Sequence, residues 1–220
     1  MPLIKQDYLL RGGFFIGGFM RKRGLIYGIG KVDIEYQTQI FSGKGKDRKL
    51  EWICPVYEAW KQMLRRVYSK KLHSSFPTYQ DVSVCNDWLS LSKFKSWMDN
   101  QNYYHSVEGK LQLDKDFLLK GNRVYCPDYC CFVTRKVNSF LKGKPAFAEG
   151  LPVGVYRNKG KFAANCKDPF DRFSKHLGYF STISEAEHVY LSTKRKYAYE
   201  LANSLYVTDD RVRCSLINLF

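Results

Sequence analysis

The chain has 220 residues, 45% of them hydrophobic and 16% aromatic, which suffices for a packed core and excludes global disorder. Lys and Arg number 36 against 21 acidic residues, a formal net charge of +15, so the expected partner is a polyanion and nucleic acid comes first. Attachment to an acidic membrane surface and a ribosome-like structural role are the plainer alternatives. The 7 cysteines are odd in number and lack paired spacing, which argues for reduced, mostly buried thiols and against a disulfide framework or structural zinc.

Residues 1–50 read as an N-terminal arm and strand region. The apolar run Gly12 to Met20 is too short and too glycine-rich for a membrane helix, and Arg21-Lys22-Arg23 lies on the wrong side of it for a signal peptide. No membrane association and a cytoplasmic location are expected. Leu25 to Tyr36 alternates like a strand, and Ser42 to Lys49 is a glycine-punctuated connector. Pro55 then opens a predicted helix in which Val56, Trp60, Met63, Leu64 and Val67 recur at helical spacing. Val82 to Cys85 predicts a strand. Asn86 or Asp87 is the expected N-cap of a helix whose stripe, Trp88, Leu91, Phe94, Trp97 and Met98, belongs to the core. Residues 51–141 form the predicted central domain, 142–151 a Gly/Pro/Lys linker, 152–206 a final module and 207–220 a tail.

Within the central domain, Leu113-Asp114-Lys115-Asp116 precedes a turn, then Asp128 to Thr134, then Asn138. Carboxylate and amide oxygens gathered around one divalent ion are what phosphodiester hydrolysis requires, with a base to activate water. The same residues are also ordinary turn and capping groups.

In the final module, Phe162, Ala164 and Cys166 alternate with Lys161, Ala163, Asn165 and Lys167, giving a strand with one apolar and one polar face. Leu177 and Phe180 are expected to face a helix that begins near Thr182 or Ser184. Its predicted inner stripe is Ala186, Val189, Tyr190, Tyr197, Ala198 and Leu201. The exposed face is expected to carry Tyr156, Arg157, Lys159, Lys161, Asn165, Lys167, Lys175 and His176.

Two resemblances attach to these residues. The run Gly154-Val155-Tyr156, Gly160 to Pro169, Leu177 to Thr182 and Glu185 to Tyr190 resembles the plant ethylene-response-factor type of DNA-binding domain, which lays a three-stranded sheet in the major groove. That resemblance places Tyr156, Asn165, Lys167 and His176 at contact positions, where the family commonly has Arg, Glu, Arg and Trp. The stretch Leu113 to Asn138 resembles the HNH (His-Me finger) centre of phage homing-type endonucleases. It implies Asp114, Lys115 and Asn138 as catalytic residues, Asp114 and Asn138 as metal ligands, and magnesium or manganese as cofactor. Lys115 stands where the family has its general-base His, and Tyr129 where it has the supporting Asn. A lysine is protonated at neutral pH, which suits a phosphate contact better than activation of water.

The expected fold class is α+β: a ββα-metal-like central domain, as the second resemblance implies, plus a C-terminal three-stranded antiparallel sheet packed on one helix. Double-stranded DNA is the expected partner, with Asn165 suited to adenine and the cations to phosphates. Two functions stand open. One is a metal-dependent DNA endonuclease with an unusual centre; the other is a catalytically inactive relative that binds DNA as a regulator or engages a host protein in the host-cell cytoplasm.

Overall fold

The computed structural model describes residues 24–101, 103, 109–141, 150–171 and 173–219. The expectations for the N-terminal glycine-rich run and for most of the 142–151 linker fall outside them. The chain forms two compact units, one from residues up to 104 together with 119–130, the other from 105–118 together with 131–220. This division differs from the one drawn on linker composition, because the chain leaves the second unit at 118 and re-enters it at 131.

The first unit contains a hairpin, β1 (Gln39–Ser42) with β2 (Lys49–Ile53), whose loop is the glycine-punctuated connector. Helix α1 (Pro55–Tyr68) starts at proline as expected and buries Val56, Tyr57, Trp60, Met63, Leu64 and Val67. Ser69 interrupts it and caps a short helix, α2 (Lys70–Ser75), by accepting from the Leu72 backbone N–H. A two-residue parallel pairing joins β3 (Ser83–Val84) to β5 (Val124–Tyr125). The aromatic stripe is core: Trp88 and Phe94 are buried, their rings meet edge to face at 5.0 Å, and the Trp60 indole donates to the Trp88 carbonyl at 2.7 Å.

Two local expectations are corrected in this unit. Leu25 to Tyr36 is not a continuous strand. Tyr27 and Gly28 take positive φ and turn the chain back, leaving bridges Ile26–Gly30 and Lys31–Ser90. The cap of helix α3 (Leu91–Asp99) is Ser90, not Asn86 or Asp87, which lie in a 3-10 turn. Asp33 decides this point: its carboxylate accepts from the hydroxyls of Ser90 and Ser92 and from the Ser92 N–H, fixing the helix start at Ser90. Burial works to raise the Asp33 carboxyl pKa, but these hydrogen bonds together hold it below the usual value.

The second unit is α+β, as expected. An antiparallel pair, β4 (Gln112–Asp114) with β6 (Cys131–Val133), leads into α4 (Arg135–Leu141). The three-stranded antiparallel sheet β7 (Val155–Asn158), β8 (Lys161–Lys167) and β9 (Ser174–Phe180) packs on helix α5 (Ile183–Ala202). Helix α6 (Asp210–Ile217) completes the unit. The β7–β8 connection is Lys159-Gly160 with φ of 46° and 80°, the paired positive angles of a tight hairpin whose twist matches its strands. Helix α5 opens with a capping box, Thr182 accepting from the Glu185 N–H while Glu185 accepts from the Thr182 N–H.

No disulfide joins any of the seven cysteines among the described residues, and five of them are buried. Gly154 has φ +84°, and an added Cβ there would lie 2.3 Å from the Tyr190 ring and 2.9 Å from the Asn165 carbonyl. Gly154→Ala is therefore expected to destabilise the protein by more than about 1 kcal/mol, read as a lower midpoint in urea denaturation. Thr182→Ala should cost about 1 kcal/mol through loss of the cap.

Candidate functional site

The strand register determines which residues share the outer face of the sheet. Val155, Phe162, Ala164, Leu177 and Phe180 pack with Ala186 and Tyr190 of α5, so their side of the sheet is the inner one. On the outer side, Ala163 pairs with Tyr156 on one strand and Tyr179 on the other, and is fully covered between them. The next outer row is Asn165 opposite His176. Polar contacts tie the rows together: the Asn165 Oδ1 accepts from the Tyr156 hydroxyl at 3.4 Å and lies 3.1 Å from the His176 Nδ1. The His176 and Tyr179 rings lie 4.7 Å apart, and the Asn158 amide donates to the Tyr179 hydroxyl at 3.5 Å. Lys161 and Lys167 lie exposed at the two ends of the central strand on this same side, and Lys159 sits in the hairpin turn beyond.

Six of the eight residues expected on this surface, Tyr156, Lys159, Lys161, Asn165, Lys167 and His176, therefore belong to it or to its rim. Arg157 and Lys175 do not. Arg157 pairs with inner-facing Phe162 and its guanidinium stands 5.0 Å over that ring. Lys175 pairs with Cys166, because Leu177 is an extra residue in β9: Ala164 faces Gly178, yet Asn165 faces His176. The bulge turns Lys175 toward the helix side, where its ammonium is 2.7 Å from the nearly buried Asp168 carboxylate. Asn158 and Tyr179 were missed as outer-face residues. Alternation from Lys161 and from Phe180 identifies both once the pairing is known.

Asp168 is a structural charge. Burial works to raise its pKa, but hydrogen bonds from Lys175, the Phe170 N–H and Tyr197, with the Lys175 charge, hold it below the usual carboxylate value. Lys194, also unanticipated, is buried on the inner stripe of α5. It donates to the Phe140 carbonyl at 2.7 Å and lies 3.5 Å over the Phe140 ring. Burial pulls its pKa down.

The turn that resembles a nuclease centre is assembled differently from the expectation. Asp114, Lys115 and Asn138 lie in the second unit, whereas Asp128 and Tyr129 belong to the first. Asn138 donates to the Gln112 side chain at 2.7 Å, so it sits beside the β4 position two residues before Asp114. The Asp114 Oδ1 accepts from the N–H groups of Asp116 and Phe117, both at 2.9 Å, in the manner of an Asx turn. The Lys115 ammonium pairs with Asp116, and the Lys115 residue is nearly buried. Among the described residues no three His, Cys, Asp or Glu side chains gather as metal ligands. Magnesium takes six oxygens in octahedral geometry, several of them water or phosphate. Asp114 Oδ2 and Asn138 Oδ1 do not make a resident magnesium or manganese site without further oxygens from water or phosphate. The hydrogen bonds of Asp114 and Asn138 close a turn and tie α4 to β4.

Asp168→Asn is expected to lower stability at neutral pH. A carboxyl whose folded pKa is depressed stabilises the fold above its unfolded value and loses that contribution as pH falls through the folded one. The stability difference between wild type and Asp168→Asn, measured by urea denaturation across pH, should shrink below about pH 4. No protein-family model, curated protein or solved structure matches the chain.

Proposed function

We propose that the chain binds double-stranded DNA through the outer face of the β7–β8–β9 sheet. The observation that supports this most is the composition of that face: a hydrogen-bonded row of Tyr156, Asn165 and His176 beside Tyr179, with Lys161 and Lys167 at the ends of the central strand. Side chains that offer hydrogen bonds to base edges occupy the middle, and cations that contact phosphates occupy the rim, the division of labour that DNA recognition uses. Three strands about 4.8 Å apart span roughly 10 Å, comparable to the roughly 12 Å width of the major groove. The net charge of +15 supplies the long-range attraction.

The turn at Asp114 supports a binding protein better than a nuclease. Its carboxylate holds backbone N–H groups and the neighbouring ammonium is neutralised by Asp116. The endonuclease reading rests on the placement of Asn138 beside β4 within a strand–strand–helix order, β4, β6 and α4. Among the described residues no helix is long and apolar enough to cross a membrane.

Fluorescence anisotropy with a labelled duplex across a salt series tests the proposal. The Lys161→Glu/Lys167→Glu protein should bind more weakly, with the slope of log affinity against log salt reduced by about 0.9 for each phosphate that is no longer neutralised. Unchanged affinity and slope would remove this face from DNA binding. Incubation of plasmid DNA with the protein and magnesium or manganese is expected to leave the DNA uncut. Cleavage abolished by Asp114→Ala would establish the nuclease instead.

A further inference from the structure

We infer that Asn165 offers DNA its amide nitrogen alone, and so selects guanine over adenine at the base pair it meets; this rests on the DNA-binding reading above. An asparagine reads adenine by using both ends of its amide, the oxygen accepting from N6–H2 and the nitrogen donating to N7. A carbonyl oxygen has two lone pairs. On Asn165 both have partners within the sheet when His176 is in its Nδ1–H tautomer: the Tyr156 hydroxyl at 3.4 Å and the His176 Nδ1 at 3.1 Å. These partners come from different strands and flank Asn165 on either side, because Tyr156 lies on β7 and His176 on β9 while Asn165 lies on β8 between them. The oxygen is therefore engaged before any DNA arrives.

What remains for a base is the NH2 group, which carries two donors and no acceptor. Of the four bases, guanine alone presents two adjacent acceptors, O6 and N7, to the major groove. Adenine sets its own N6–H2 donor beside N7, and thymine sets a methyl beside O4. A donor-only group thus meets a matching pair on guanine and a mismatched neighbour on the others. Adenine can be read with both ends of the amide only if the Tyr156 or the His176 hydrogen bond breaks, and those bonds hold the row together. The adenine pairing expected from Asn165 as a residue type is set aside by its surroundings. Tyr156 and His176 act as positioning residues: they set which end of the amide faces outward.

The test is selection from a randomised duplex library, with sequencing of the bound fraction, using the full chain. Wild type should enrich guanine over adenine at one position by about tenfold, the lower part of the range for a good base contact. Asn165→Ala should flatten that position and leave the rest of the selected motif in place. Tyr156→Phe/His176→Ala frees the Asn165 oxygen and should shift the same position from guanine toward adenine. His176→Ala alone removes the nearer partner and should move it part of the way. Circular dichroism checks that each variant is folded. Adenine selected by wild type at the Asn165-dependent position overturns the inference, as does an Asn165→Ala motif identical to wild type. Retention of guanine by the folded double variant overturns it as well, as does duplex binding without base preference. Each of these outcomes leaves DNA binding intact. Failure to bind any duplex overturns the functional reading and this inference together.

Discussion

Burial of one side of helix α5 is the constraint on which the second unit depends. Near its start, Ala186 and Tyr190 cover the sheet through Val155, Phe162, Ala164 and Phe180. Farther along, Tyr197, Ala198, Leu201 and Ala202 share a core with Cys131, Val133, Val137 and Phe140 from β6 and α4, and with Val212 and Leu216 from α6. One helix thus supports both the sheet and the β4–β6–α4 turn. Lys194 sits between the two sets and donates to a carbonyl at the end of α4, where the last turn of a helix leaves carbonyls without internal partners. A buried ammonium with a carbonyl and an aromatic face for company is held in place by the cost of leaving it unpaired. The turn that resembles a nuclease centre is accordingly part of the framework that carries the sheet.

Much of this was legible from residue order. Alternation in Phe162, Ala164 and Cys166 identified the inner side of β8, and the helical recurrence of Val56, Trp60, Met63 and Leu64 identified the core of α1. The helix expected to begin near Thr182 or Ser184 does start there, capped by Thr182. Two features were not legible, for distinct physical reasons. The β9 bulge depends on which partner each residue meets, and a period of two cannot register one inserted residue. The cap at Ser90 depends on Asp33, far away in sequence. Arg157 follows outer-facing Tyr156, so alternation puts it on the inner side, and Lys175 reaches that side through the bulge.

The charge balance carries a related lesson. A net charge of +15 describes the chain, but cations differ in what they do once folded. Lys175 neutralises Asp168, Lys194 satisfies a helix end, Lys136 lies 3.8 Å over the Tyr206 ring, and Arg157 covers Phe162. These four make contacts that serve the fold. Lys159, Lys161 and Lys167 border the polar outer face instead. Position relative to the inner core separates the two groups, and residue type does not.

The bulge at Leu177 has a consequence for how this surface is maintained. Were Leu177 paired in regular register, it would meet Asn165, Cys166 would meet His176 and Lys167 would meet Lys175, so imidazole and ammonium would exchange sides of the sheet. The identity of the polar row is therefore encoded in the register of β9 as much as in its letters. A substitution there edits one side chain, whereas drawing Leu177 into the ladder rewrites which side every residue from Ser174 to His176 addresses. The same letters paired without the bulge would carry a different surface.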